Sequence, residues 1–310
     1  MDGLFYGSSE SSFVPRDEIL KRGEVVVFPD KKQPRVDYHR ITDHIKEGEA
    51  IRNEMDVSQD TAQWNVPMDR IDRPIAALWM TDIHYGNAGT DHRLLDSHLE
   101  LVENTPNMFA IIGGDTIDNF SAAKHPQAAT ADVVPPQIQA QGFMDRIRKL
   151  DLKKKIAAIV FGNHEAFTSM VGLDYWNTFM QGLNAPIFSR GGVLRVNVDD
   201  QTYRVGLGHK HWGVSKINPE NAARRGMEFT WPDTDAVLIG DDHQSAGSVF
   251  DRGGKRKIVI DGGTYKINDS TGLRWGLGHA GYPGFTLLLW PGRKHMEITH
   301  DPETAKEFLR

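Results

Sequence analysis

The chain has 310 residues, 39% hydrophobic and 25% charged, with 13 histidines and no cysteine. This is the composition of a folded globular protein, and the missing thiols exclude disulfides, Cys-ligated zinc, iron–sulfur clusters and thiol nucleophiles. A formal charge of −6 argues against coating nucleic acid through bulk charge. No apolar run approaches the ~20 residues of a membrane span, so no membrane partner is expected. The start, MDGLFYGSSE, lacks a secretory charge-then-apolar pattern. The expected compartment is the cytoplasm, that of the host for a viral chain.

Residues 1–74 hold 11 Lys and Arg against 15 Asp and Glu, a net −4 of the −6. They are polar and weakly periodic apart from a short predicted strand at Val25–Phe28, and read as an N-terminal extension with the capacity to bind a protein partner. From Ile75 the texture changes. Ile75–Met80, Met108–Ile112 and Ile156–Phe161 are continuous apolar runs, the pattern of strands buried on both faces. His92–Asn104 and Gln137–Leu150 lie between them with apolar residues at helical spacing. Strand, helix, strand, helix, strand predicts an α/β fold. His125–Gln141, with three prolines, reads as a long loop. Downstream the rhythm is mostly β: Val193–Val198, Tyr203–Leu207, Ala236–Ile239, Lys257–Ile260, Phe285–Trp290 and Met296–Thr299. Hairpin turns are predicted at Asp199-Asp200 and at Arg252–Lys255. The main domain is placed at 75–300, with 301–310 as a short C-terminal helix.

The apolar runs end in polar clusters. Asp82 and His84 follow the first, Asp115 and Asp118 the second, and Asn163, His164 and Glu165 the third. Tyr203–Leu207 leads into His209 and His211, and Ala236–Ile239 into Asp241 and His243. In open α/β sheets the carboxyl ends of strands converge on one crevice where ligands bind. The converging set holds carboxylates, imidazoles and one carboxamide, which suits Mn, Fe or Zn better than Ca. It is too large for one tetrahedral site and suits two cations sharing a carboxylate, which can activate a water and hold a phosphoryl group.

Asp82-x-His84, Gly114-Asp115-x-x-Asp118 and Gly162-Asn163-His164-Glu165, in this order and followed by further histidines, resemble the calcineurin-like metallophosphoesterase superfamily over residues 75–300. The resemblance implies a four-layer fold, a central β-sandwich flanked by helices. It implies two divalent metal ions, Mn²⁺ first, with Mg²⁺, Fe or Zn²⁺ as alternatives. Asp82, His84 and His243 would hold one, Asn163 and His209 the other, and Asp115 would bridge. His164 would be the general acid or charge stabiliser, with Asp118 and Glu165 orienting the ligands. Two points stay open. The last motif reads Gly240-Asp241-Asp242-His243 where the family has Gly-His-x-His, so Asp241 is either a hard ligand favouring Mn²⁺ or Mg²⁺, or no ligand. His209 or His211 fills the fourth motif, with His209 preferred because it comes directly off the strand.

The expected activity is hydrolysis of phosphodiesters through metal-activated hydroxide, chiefly in DNA or RNA. Tyr85-Gly86 after the first motif resembles the double-strand-break repair exonuclease branch, and the polar extension resembles phage-type members. The alternatives are a phosphomonoesterase on phosphoprotein or nucleotides, and a metal-binding but inactive structural or interaction protein. Lys153–Lys155, Arg224-Arg225 and Arg252–Lys257 read either as nucleic-acid contacts or as solvated turns. Trp212, Tyr85 and Trp275 read either as base-stacking or as core aromatics.

Overall fold

The structure, a computed structural model, describes residues 61–67, 72–119, 131–167, 180, 182–267 and 280–310, with two short strands near the start of the chain. The chain divides into two units, Met1–Asp56 and Val57–Arg310. In the first, β1 (Leu4–Phe5) pairs antiparallel with β2 (Val14–Pro15). The strand predicted at Val25–Phe28 lies outside the described residues.

The second unit is built on two six-stranded sheets. One runs in the order β14 (Met296–Thr299), β13 (Thr286–Leu289), β4 (Ile75–Met80), β5 (Met108–Ile112), β6 (Ile156–Val160), β7 (Ile187–Phe188). The other runs β11 (Ala246–Arg252), β12 (Lys255–Asp261), β10 (Ala236–Ile239), β9 (Gln201–Leu207), β8 (Gly192–Val198), β3 (Thr61–Asn65). β4, β5 and β6 are parallel neighbours, and so are β9, β10 and β12.

The period-two alternation of a strand explains why β4 is apolar throughout. Ile75, Ala77 and Trp79 face the interior of the sandwich, with Phe109, Leu207 and Leu238. Ala76, Leu78 and Met80 face outward onto two helices, α1 (His92–Asn104) and α2 (Pro136–Leu152), through Leu95, Leu99, Phe143 and Ile147. On the second sheet Val237, Ile239 and Val259 pack against α4 (Asn221–Arg225) and the π-helical turn Gly226–Thr230 that continues it. The layers are therefore helix, sheet, sheet, helix: the α/β sandwich flanked by helices that the motif resemblance implied. A short α3 (Asn163–Phe167) follows β6, and the chain ends in α5 (Pro302–Phe308), capped by the Asp301 side chain. Among the described residues no helix is long and apolar enough to cross a membrane.

Three elements differ from the sequence expectation. Thr61–Asn65, assigned there to the extension, is the edge strand β3, parallel to β8, with Ala62 and Trp64 turned onto the sandwich core. Residues 137–141, which fall in both the loop reading of His125–Gln141 and the helix reading of Gln137–Leu150, belong to α2, because Pro136 sits in its first turn where no amide hydrogen is needed. Ala246–Arg252 forms β11, joined to β12 by a hairpin whose Gly253 and Gly254 have φ of 59° and 72°, as a two-residue turn of this hand requires.

Candidate metal centre

The clusters at the carboxyl ends of β4, β5, β6, β9 and β10 meet on one side of the sandwich. Asp82, His84, Asp115, Asn119, Asp241 and His243 all have φ between 40° and 76°. Each such left-handed residue other than glycine costs on the order of 1–3 kcal/mol, so strain is concentrated where the strands end. Close approach adds a further demand. A Cβ on Gly162 would lie 2.1 Å from Asp115 Oδ1, and one on Gly240 2.5 Å from Asp82 Oδ2, so only glycine lets the neighbouring carboxylates in.

Three overlapping groups could hold a cation: Asp82, His84 and His243; Asp82, Asp115 and His209; His84, Asp115 and His164. The His84 and His243 Nε2 atoms are 3.0 Å apart, and His243 Nε2 is 3.4 Å from Asp82 Oδ1. Asp115 Oδ2 lies 3.2 Å from His209 Nε2 and 3.6 Å from His164 Nε2. Asp241 Oδ1 is 3.8 Å from His209 Nε2, while its Oδ2 accepts from Lys210 Nζ at 2.5 Å. Asn163 Oδ1 is buried with no hydrogen-bond partner. His211 is turned away: its Nε2 bonds Thr230 Oγ1 at 2.9 Å, its Nδ1 faces Trp212 O, and it takes no part in the cluster.

Behind these groups sit residues that fix their tautomers. His84 Nδ1 is 2.8 Å from Asp118 Oδ1, which leaves Nε2 facing the centre. His209 Nδ1 is 2.9 Å from the Gly113 carbonyl, and His164 Nδ1 bonds the Asp118 carbonyl. A carbonyl can only accept, so both rings carry their proton on Nδ1 and aim Nε2 inward. Asp118 also accepts from Asn87 Nδ2 at 2.6 Å and pairs with Lys266 Nζ at 3.2 Å. Glu165 accepts from the amides of Asp115, Thr116 and Gly162 and from Thr116 Oγ1, tying the β5 end to the β6 end. Thr81 Oγ1 donates to Asp82 Oδ2 at 2.6 Å.

Burial works to raise the carboxyls of Asp82 and Asp115, yet the surrounding imidazoles hold both below the usual carboxylate range. Burial works to lower His209, but the carboxylates of Asp115, Asp82 and Asp241 push it up to about 10. His243 is likewise raised by Asp82. His84 is lowered to about 4 by burial and stays neutral, as a ligand must. The centre is thus a buried concentration of negative charge compensated by protons, with an orphaned carboxamide oxygen beside it. That donor set fits divalent cations.

Sequence reasoning missed Lys266, Thr264 and Asp261. Asp82 O accepts from Thr264 Oγ1 at 2.7 Å and from the Tyr265 amide at 3.1 Å. Burial and nearby carboxylates raise Asp261 well above its ordinary value, and burial raises its neighbour Asp242. The signal was present, since Gly262-Gly263-Thr264-Tyr265-Lys266 follows the predicted strand Lys257–Ile260 as one more polar cluster at a strand end.

No family model matches the sequence, and no curated protein matches it at a significant level. Solved structures are similar to it at low identity. Vps29 of Entamoeba histolytica, complexed with zinc, is 16% identical over 73% of this chain and 98% of its own, with a TM-score of 0.36. A nuclease, MPE, of Pseudomonas putida is 16% identical over 72% and 87%, with a TM-score of 0.31. A metallophosphoesterase of Sphaerobacter thermophilus is 15% identical over 76% and 92%, with a TM-score of 0.33.

Proposed function

We propose that the chain is a calcineurin-like metallophosphoesterase that holds two divalent cations and hydrolyses phosphodiester bonds, those of nucleic acid first of all. The observation that supports this most is the convergence on Asp115: its carboxylate faces His209 and His164 while sharing a cluster with Asp82 and His84. Asp82, His84 and His243 would hold one cation, Asn163, His209 and Asp241 the other, and Asp115 both. An oxygen-rich second set with Asn163 and Asp241 favours Mn²⁺ over zinc.

When bound, such cations make water acidic and neutralise phosphoryl oxygens. The chain supplies the rest. Asp118 and the Gly113 carbonyl hold His84 and His209 in the tautomer that presents Nε2. Glu165 clamps the ends of β5 and β6, next to Asp115 and Asn163, so their separation is fixed before substrate arrives. His164, pinned at Nδ1 by the Asp118 carbonyl, is left with Nε2 to give a proton to the departing oxygen or to balance charge on the phosphoryl group. Strain at the strand ends is consistent with this pre-organisation.

The test is a pair of chromogenic esters with added Mn²⁺. The expected result is cleavage of bis-p-nitrophenyl phosphate and neglect of the monoester. Preference for the monoester would make the protein a phosphomonoesterase, and metal binding with neither activity would make it a non-catalytic module.

A further inference from the structure

The segment that follows His209 carries a group of side chains that metal binding does not explain. Three residues past His209 the indole of Trp212 is 57% exposed, and the Phe229 ring is 64% exposed. The two rings lie nearly parallel, with centroids 5.6 Å apart and planes at 30°. Large aromatics so open to water, side by side, mark a binding surface more often than chance.

The surroundings hold this pair in place. His211 stacks beneath Trp212 at 26°, fixed by its bonds to Thr230 Oγ1 and the Trp212 carbonyl. The π-helical turn inserts one extra residue, closed by the Trp231 amide donating to Gly226 O at 2.8 Å. Trp231 is buried against the second sheet, while Phe229 two residues earlier is turned out to solvent. π-turns of this kind recur at functional sites.

The charge is positive. The Arg225 guanidinium lies 4.3 Å from the Trp212 ring centroid and, among the described residues, has no carboxylate partner. Phe229, Arg224, Arg225, Arg252 and Glu228 line a groove of about 390 Å³, within the ~300–1,000 Å³ of small-ligand sites. Arg252 pairs with Glu228 at 2.6 Å and Arg224 with Glu220 at 3.6 Å, so the lining keeps a positive excess carried chiefly by Arg225. One face thus offers aromatic planes for stacking and guanidinium groups for phosphates, the two elements of a single-strand platform. Of the other stacking candidates, only Tyr85 lies among the described residues. Tyr85 packs on Phe143 with its hydroxyl accepting from Arg146, and Trp275 lies outside the described residues.

We propose that Trp212 and Phe229 form a stacking platform for the bases of a single-stranded nucleic acid, with Arg224 and Arg225 meeting its phosphates, next to the phosphodiester presented to the centre. This rests on the phosphodiesterase reading and names its substrate class. A protein partner on the same patch would read ring planes and charge differently, and would be indifferent to whether a strand carries bases.

The test uses the full chain in EDTA and fluorescence anisotropy with two labelled oligonucleotides of equal length and charge, one of deoxythymidine and one abasic. Stacking is worth roughly 5- to 150-fold per base. The expected result is at least about tenfold tighter binding of the base-bearing strand. Trp212→Ala and Phe229→Ala should bring that ratio toward one, while Trp212→Phe keeps most of it. Equal affinity of the wild-type chain for the two strands, binding of neither, or a ratio that survives both alanine substitutions overturns the platform. Assaying bis-p-nitrophenyl phosphate with Mn²⁺ on the same preparation separates the two failures. Diester cleavage without base discrimination removes the platform alone, and discrimination without diester cleavage removes the phosphodiesterase reading.

Discussion

Asp115 is surrounded by groups that need its charge. Its Oδ1 accepts the His164 amide at 2.9 Å, and its Oδ2 faces His209 and His164. Asp115→Asn keeps the shape and removes the charge, so it should abolish turnover while a cooperative melting transition remains. Retained turnover would mean that the centre lies elsewhere. His164 sits at the boundary between ligand and acid, because it belongs to one cation-holding group and yet is pinned by a backbone carbonyl. We expect His164→Ala to slow diester cleavage by roughly 10²- to 10⁴-fold, the usual size of a general-acid contribution. Bound metal, measured on the purified variant, should stay at the wild-type level, and its loss would make His164 a ligand. His209 and His211 show what spacing alone leaves open. Both follow the same strand, but only His209 meets the Gly113 carbonyl and Asp115, while His211 is drawn to Thr230 on the π-helical turn.

At the scale of elements, α1 is seated by two polar contacts. Asp91 caps its first turn by accepting from the Leu94 amide, and His98 Nδ1 meets the Tyr265 hydroxyl at 2.8 Å inside the fold. Burial lowers His98 to about 4 against the opposing pull of Asp301, Glu303 and Asp91. An unfolded histidine titrates near 6.5, so the folded state binds fewer protons between those values. The stabilisation is therefore complete above about pH 6.5 and is lost as pH falls toward 4. It amounts to something on the order of 3 kcal/mol. The melting temperature should drop across that window, and His98→Gln should flatten the drop. An unchanged slope in the variant would remove His98 as its source.

The same elements show why part of the fold is legible in the sequence. β4, β5 and β6 are buried on both faces and appear as unbroken apolar runs, each followed by its motif. The edge strands are not so marked. β3 reads TAQWN and β11 reads AGSVFDR, half-exposed sequences in which alternation is diluted. Lys266 and Asn87 reach Asp118 from segments remote in sequence, a convergence that only the folded chain displays. The loop reading of His125–Gln141 runs past the helix start for a simpler reason: a proline pair reads as a breaker but also opens helices.

For the whole molecule, the −6 charge looks unfavourable to a phosphate-rich partner until its distribution is considered. Residues 1–74 hold −4 of it. Asp82 and Asp115 belong to groups that could hold a cation, and two divalent ions would move the formal total to −2. The sandwich brings two parallel strand sets to one edge, so that groups able to hold a cation, from both sheets, face each other across it. Trp79 Nε1 donating to Ile239 O at 3.1 Å ties those sheets together just below the centre. Cation number is therefore the property that joins the charge distribution to the proposed chemistry. The most direct measurement is titration of the metal-free chain with Mn²⁺, following bound ions per chain and bis-p-nitrophenyl phosphate turnover in the same samples. The expected result is turnover that saturates as two ions bind, with both lost in Asp115→Asn. Full turnover at one ion per chain, or two bound ions without turnover, would contradict a two-cation phosphodiesterase.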